Sequence, residues 1–144
     1  MELKVVRLDT EIPLPAYAHY FDAGLDLCST IDVELLPGGG RATVPTGVAI
    51  ELSFDCAGLI VPRSGLASKH GITCVNAPGL IDSGYRGEIK VVLANTDPST
   101  VYRVRRLDRI AQLVIIKPVS VKIKEVSELN LATDRADRGF GSTG

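Results

Sequence analysis

Glu88-Ile89-Lys90-Val91-Val92-Leu93 is the stretch that decides the fold. Ile89, Val91 and Leu93 alternate with Glu88 and Lys90, a period of two that turns one row of side chains toward a core. The same alternation recurs upstream, where Ile31, Val33 and Leu35 alternate with Asp32 and Glu34. It recurs again downstream, where Val119, Val121 and Ile123 alternate with Ser120, Lys122 and Lys124. Turn formers punctuate these runs at Pro37-Gly38-Gly39-Gly40, Asn76-Ala77-Pro78-Gly79 and Asn95-Thr96-Asp97-Pro98. Many short strands at close spacing predict an all-β sandwich, jelly roll or barrel. One stretch departs from the pattern: Ser64-Gly65-Leu66-Ala67-Ser68-Lys69-His70-Gly71 follows Pro62 and closes on glycine, which predicts a short helix.

The chain has 144 residues, the size of one domain, and 45% of them are hydrophobic, which excludes a disordered polymer. A formal net charge of −1 provides no long-range field for nucleic acid or an anionic membrane, so neither is expected as a partner. Any polyanionic ligand has to be caught by a local cluster of donors. No apolar run approaches the ~20 residues of a membrane span. Met1-Glu2-Leu3-Lys4-Val5 lacks the build of a secretion signal, so a cytoplasmic location is expected. Cys28, Cys56 and Cys74 are odd in number, lack CxxC spacing and lie beside apolar residues, which predicts buried free thiols.

Five segments carry residue types suited to chemistry, and each also has a structural explanation. In Asp22-Ala23-Gly24-Leu25-Asp26-Leu27, Asp26 stands between two leucines in a strand-like alternation. Such a carboxylate needs a metal or a hydrogen-bond donor if buried; otherwise it faces solvent. In Pro62-Arg63-Ser64-Gly65, an arginine, a hydroxyl and the N–H groups of a helix start suit a phosphate. The other reading is an N-cap at Ser64 beside an exposed arginine.

Asn76-Ala77-Pro78-Gly79-Leu80-Ile81-Asp82-Ser83-Gly84-Tyr85-Arg86-Gly87 reads as a tight hairpin that can bring backbone groups against a base edge. Asp82 is placed to act as general base for a water and Tyr85 to lie flat against a sugar. Gln112 is a polar residue inside the apolar run Ile110-Ala111-Gln112-Leu113-Val114, so it needs a backbone or ligand partner. The last residues, Ala132 to Gly144, have no apolar periodicity. They read either as a frayed end or as a lid in which Arg138, Phe140, Ser142 and Thr143 close on a base and a phosphate.

Taken together in this order, the five segments resemble the trimeric dUTPase family, the deoxyuridine triphosphate nucleotidohydrolases. The resemblance runs from Asp22 to Gly144. It implies a single β-jelly-roll domain over residues 1–131, with one short helix, and a flexible arm over 132–144 that closes an active site of a neighbouring subunit. It also implies a homotrimer in which the segments around Asp26, Arg63-Ser64 and Gln112 come from one chain, the hairpin from a second and the arm from a third. The activity implied is magnesium-dependent hydrolysis of dUTP to dUMP and pyrophosphate, which limits uracil in DNA and supplies dUMP for dTTP synthesis.

The residue roles follow from the same resemblance. Asp82 would activate the water that attacks the α-phosphorus in line. Asp26 would hold magnesium through water. Arg63, Ser64, Gly65 and Gln112 would position the phosphates, with Lys90 assisting. Asn76 and the backbone of Leu80, Ile81 and Asp82 would read uracil, Tyr85 would pack under the deoxyribose, and Phe140 would stack on the base. Arg138, Gly141, Ser142 and Thr143 would clamp the far end of the triphosphate.

Two alternatives differ in chemistry. A dCTP deaminase, on a related fold, carries a catalytic glutamate in the strand after the hairpin, where this sequence has Val92. Valine cannot activate water, and Glu88 reads as a strand-face residue. A non-catalytic β-domain that binds nucleotides or proteins has no need of Asp82 or of the complete tail.

Overall fold

The computed structural model describes residues 1–130 and 132–133. Its described residues form ten strands and one short helix: β1 (Lys4–Arg7), β2 (Leu25–Cys28), β3 (Val33–Leu35), β4 (Gly40–Glu51), β5 (Ala57–Pro62), α1 (Ser64–His70), β6 (Ile72–Cys74), β7 (Gly79–Ile81), β8 (Glu88–Asn95), β9 (Tyr102–Val104) and β10 (Arg109–Ile116). The strands make two four-stranded sheets, ordered β1-β4-β8-β6 and β2-β10-β5-β7, and a β3-β9 pair. This is the expected jelly roll, with neighbours that are distant in sequence and antiparallel throughout the named pairings.

The core lies where the two large sheets face each other. Val44, Val48 and Ile50 of β4 and Ile89, Val91 and Leu93 of β8 meet Leu27, Ile60, Ile81 and Leu113 from the opposite sheet. Each such aliphatic side chain contributes on the order of 2 kcal/mol when fully buried. The period-two reading of β8 is borne out: its three alternating apolar residues are buried. Buried polar side chains are bonded as the same logic demands. Asn95 donates to the carbonyls of Leu35 and Thr100, and the Thr46 hydroxyl donates to that of Ile89.

Gly47 interrupts β4 where its pairing with β8 shifts register between Pro45 and Ala49. Its φ of +69° lies in the left-handed region, and a Cβ there would come within 2.7 Å of the Thr30 methyl. The carbonyl of Gly47 accepts the backbone N–H groups of Leu8 and Asp9, so the bulge anchors the N-terminal segment. Arg106 ties that segment from the other side, donating to Asp9, Glu11 and the carbonyl of Thr30.

Three expectations are corrected. Residues 119–124 form no strand, and Val119, Val121 and Ile123 stand 86%, 77% and 90% exposed. Alternation specifies a face to be buried without specifying what buries it, and among the described residues no strand pairs there. In the upstream run only Val33–Leu35 is a strand, and Ile31 lies outside it, half-exposed. Ser64 is not the N-cap: Arg63 occupies that position in extended conformation, with no side-chain cap bond. The helix ends as predicted on Gly71, whose φ of 65° lets its N–H return to the Ala67 carbonyl.

The three cysteines are free and buried, as expected. Burial pushes the Cys74 thiol up to about 11, and it raises Cys28 and Cys56 as well. A raised value keeps each thiol protonated and unreactive at mildly alkaline pH. A thiol-disulfide reagent at pH 8 is therefore expected to label the native protein slowly and the unfolded chain completely; rapid native labelling would contradict this packing. Gly47→Ala is expected to cost about 2 kcal/mol in a denaturant titration, and an unchanged midpoint would show that the bulge tolerates a side chain.

Candidate active site

The first part of the site is a cavity of about 340 Å³ between β7, at the edge of one sheet, and β8 of the other. The segment between them was expected to be a hairpin. Instead β7 pairs with β5, while β8 pairs with β4 and β6, so its two arms belong to different sheets. The cavity is the gap that this crossing leaves, and a closed ladder would have filled it.

Asn76, Leu80, Ile81, Asp82, Tyr85 and Lys90 all line it. Gly79 pairs with Ile60, and a Cβ on it would lie 3.2 Å from the Asn76 amide nitrogen, so glycine lets that amide sit against the backbone. Asp82 follows β7 directly and begins a turn in which its carbonyl accepts the Tyr85 N–H at 3.0 Å. The Tyr85 hydroxyl donates to the Glu88 carbonyl at 2.9 Å, closing the tip of the segment. Gly87 makes room for that hydroxyl, since a Cβ there would be 2.5 Å from it.

Glu88 is more than a strand-face residue. One carboxylate oxygen accepts the Gly47 N–H at 2.9 Å, and the other lies 3.9 Å from the Lys90 ammonium. It fixes the β4 bulge and holds the lysine beside the cavity.

The second part is built around Asp26. Its carboxylate is 8% exposed, so the solvent-facing reading of Asp26 is corrected. Oδ1 accepts from Arg63 Nε at 3.2 Å, and Oδ2 accepts from an Arg109 terminal nitrogen at 3.0 Å. These charge-assisted bonds supply the donors that a buried carboxylate requires. The charge of Asp26 is felt next door, where it adds to burial in raising the Cys28 thiol. Gln112 pairs in register with Asp26 on β2 and with Val61 on β5. A Cβ on Gly24 would lie 3.0 Å from the Gln112 Cβ, so the glycine admits the glutamine side chain. Ser64 and Gly65 open α1 directly after Arg63.

The structure thus gathers the expected residues into two groups, and the cavity lining contains none of Asp26, Arg63, Ser64, Gly65 or Gln112. Arg138, Phe140, Gly141, Ser142 and Thr143 lie outside the described residues. Sequence reasoning missed Arg109 and the holding role of Glu88. Arg109 opens the apolar run that contains Gln112, but its partner becomes visible only from the pairing of β10 with β2.

A family model described as dUTPase matches residues 10–144. The chain belongs to the dUTPase family. It is 55% identical over 144 residues to the deoxyuridine 5'-triphosphate nucleotidohydrolase of Thermobifida fusca, covering 100% of this chain and 79% of that one. The enzyme of the same name from Corynebacterium glutamicum is 54% identical over 142 residues, covering 99% and 94% of the two chains. Among solved structures, the dUTPase of Staphylococcus bacteriophage 80alpha with dUPNHPP superposes with a TM-score of 0.91 at 29% identity, covering 99% of this chain and 98% of that chain. A mutant dUTPase from phage phi11 of S. aureus, described with a structural Mg(II) ion, superposes at 0.82 with 26% identity, covering 90% and 99%.

Within this dUTPase architecture the Tyr85 ring is positioned by the absence of a side chain at Gly87. Gly87→Ala is expected to displace the ring and break its bond to Glu88 while lowering stability by only about 1 kcal/mol. A crystal structure of the variant with Tyr85 unmoved would refute that account.

Proposed function

We propose that the chain hydrolyses dUTP to dUMP and pyrophosphate, limiting uracil in DNA and supplying dUMP for dTTP synthesis. The observation that carries this reading is the cavity wall shared by Asn76, Leu80, Ile81, Asp82, Tyr85 and Lys90. It combines backbone groups able to read a base edge, a ring for a sugar, a carboxylate and an ammonium, in a space suited to a nucleoside. Val92 is half-buried on β8 and offers no group for a deaminase to activate water.

In this mechanism the uracil edge meets Asn76 and the backbone of Leu80 to Asp82, and Tyr85 lies under the deoxyribose, excluding a 2′-hydroxyl. Asp82 is exposed, accessible to water, and orients and deprotonates the attacking molecule. The new bond forms from that water oxygen to the α-phosphorus. The bond from the α-phosphorus to the bridging oxygen breaks in line, and pyrophosphate leaves with the electron pair. Arg63, Ser64, Gly65 and Gln112 align the phosphates, Lys90 assists from the cavity wall, and Arg138, Gly141, Ser142 and Thr143 clamp the far end under a stacked Phe140. Most of the rate then comes from alignment and charge stabilisation.

Magnesium fits this chain as a companion of the substrate. Among the described residues no three carboxylate, imidazole or thiol groups converge on a metal. Both Asp26 oxygens already accept from guanidiniums, leaving only lone pairs for water. A magnesium ion carried by the triphosphate keeps most of its waters, and Asp26 would meet it through them. When bound, it neutralises phosphate charge.

The separation of the two residue groups supports a homotrimer with shared sites. The exposed, unpaired alternation at Val119, Val121 and Ile123 supports it too, because another copy can bury that face. Among the described residues no helix is long and apolar enough to cross a membrane, which suits a cytoplasmic enzyme.

Assays of dUTP, dCTP, dTTP and UTP with and without magnesium are expected to give dUMP and pyrophosphate from dUTP alone, dependent on the metal. Deaminated product from dCTP, or no turnover of any substrate, would overturn the reading. Asp82→Asn is expected to bind dUPNHPP normally while turnover falls by about a thousandfold or more. A variant lacking Arg138 to Gly144 is also expected to be folded and nearly inactive. Subunit exchange between these two inactive proteins should restore activity if a site takes Asp82 and the arm from different chains; no recovery would place both on one chain.

A further inference from the structure

We propose that Arg109 is a second triphosphate-gripping residue, paired with Arg63 across Asp26; the inference rests on the dUTP reading. One buried carboxylate needs one cation, yet two guanidiniums converge on Asp26, at 3.2 Å and 3.0 Å. The formal sum is one negative and two positive charges, a surplus of one positive charge. Arg63 is the more enclosed partner, its side chain 26% exposed against 51% for Arg109. A half-exposed ion pair adds little stability. Stability alone therefore gives a weak reason for the second arginine, whereas an anion arriving at the cluster gives a strong one.

The donors point the same way. Arg63 is bonded at Nε to Asp26 and at one terminal nitrogen to the Arg109 carbonyl, 3.4 Å away. The Arg109 side chain makes one hydrogen bond among the described residues, to Asp26, and an arginine carries five N–H donors. Its guanidinium shares Asp26 with that of Arg63, Ser64 follows Arg63 directly, and Gln112 pairs in register with Asp26; Arg63, Ser64 and Gln112 are the residues assigned to the phosphates. Planar guanidiniums suit phosphate oxygens because their paired donors match the spacing of two acceptors.

The backbone around Arg109 is built to hold it there. Leu107 adopts a φ of 75°, which a leucine rarely does. Its N–H donates to the Ser29 carbonyl, and the Ser29 N–H donates to the Asp108 carbonyl. The Asp108 carboxylate accepts the Arg105 N–H and closes the turn. This latch between the end of β2 and the start of β10 sets Arg109 opposite Cys28, two residues from Asp26.

The test is titration calorimetry of the full chain with dUPNHPP, dUMP and inorganic tripolyphosphate. The wild type is compared with Arg109→Gln, Arg109→Lys and Arg103→Gln, the last removing an exposed arginine elsewhere. Arg109→Gln is expected to weaken dUPNHPP and tripolyphosphate by about 10- to 100-fold, with dUMP much less affected. Arg109→Lys keeps the charge without the fork and should fall between, and it serves if the glutamine variant does not fold. Arg103→Gln should match the wild type. Equal weakening of dUMP and dUPNHPP would reduce Arg109 to a structural ion pair, and unchanged affinities would also overturn the proposal. A wild type that binds tripolyphosphate but neither binds dUPNHPP nor cleaves dUTP would sink the dUTP reading instead, leaving the grip to be judged on tripolyphosphate.

Discussion

The long ladder between β4 and β8 is the contact on which the rest of the molecule depends. It runs from the Gly40–Asn95 pair to the Ala49–Glu88 pair and joins the two central strands of one sheet. Its inward face is apolar at Val44, Val48 and Ile50 and at Ile89, Val91 and Leu93, against which the second sheet packs. Burial of that surface supplies the main driving force, and the antiparallel hydrogen bonds fix its register. The one irregularity, at Gly47, is bonded to the Glu88 carboxylate, so the start of β8 is anchored where the segment carrying Asp82 and Tyr85 joins it.

The site inherits its geometry from the way the chain leaves that ladder. β7 is bound to β5 in one sheet and β8 to β4 in the other, so the loop carrying Asp82 and Tyr85 spans the gap between layers. A spanning loop cannot fill the gap with its own ladder, and the result is a cavity walled by strands β7 and β8 together with the loop residues Asn76, Asp82 and Tyr85. Local glycines then refine it: Gly79 seats Asn76, and Gly87 seats the Tyr85 hydroxyl. Preorganisation of this kind suits a reaction in which alignment carries most of the rate.

The Asp26 cluster is governed by a different constraint. A buried carboxylate between two leucines is stable only if charge-assisted donors reach it, and they come from Arg109 at the start of β10, the neighbour of β2, and from Arg63 just after β5, the strand beyond. The same bonds that make Asp26 tolerable also aim two guanidiniums at one place.

The sequence by itself determined the strand class, the short helix and the residues of the cavity. Those signals are local: a period of two at Ile89, Val91 and Leu93, a glycine stop at Gly71, and a segment of turn formers that also holds Asp82 and Tyr85. The tertiary structure alone decided what lies opposite what. Whether Asp26 met a metal, a donor or water depended on the N-cap of α1 and the start of β10, more than thirty residues away, and the answer was Arg63 and Arg109. The alternation at Val119, Val121 and Ile123 marked a face to be buried, but none of the described residues buries it. Periodicity fixes which way a side chain points, because that is set by the backbone within a few residues. Partnership is set by register between distant strands, and no local pattern encodes it.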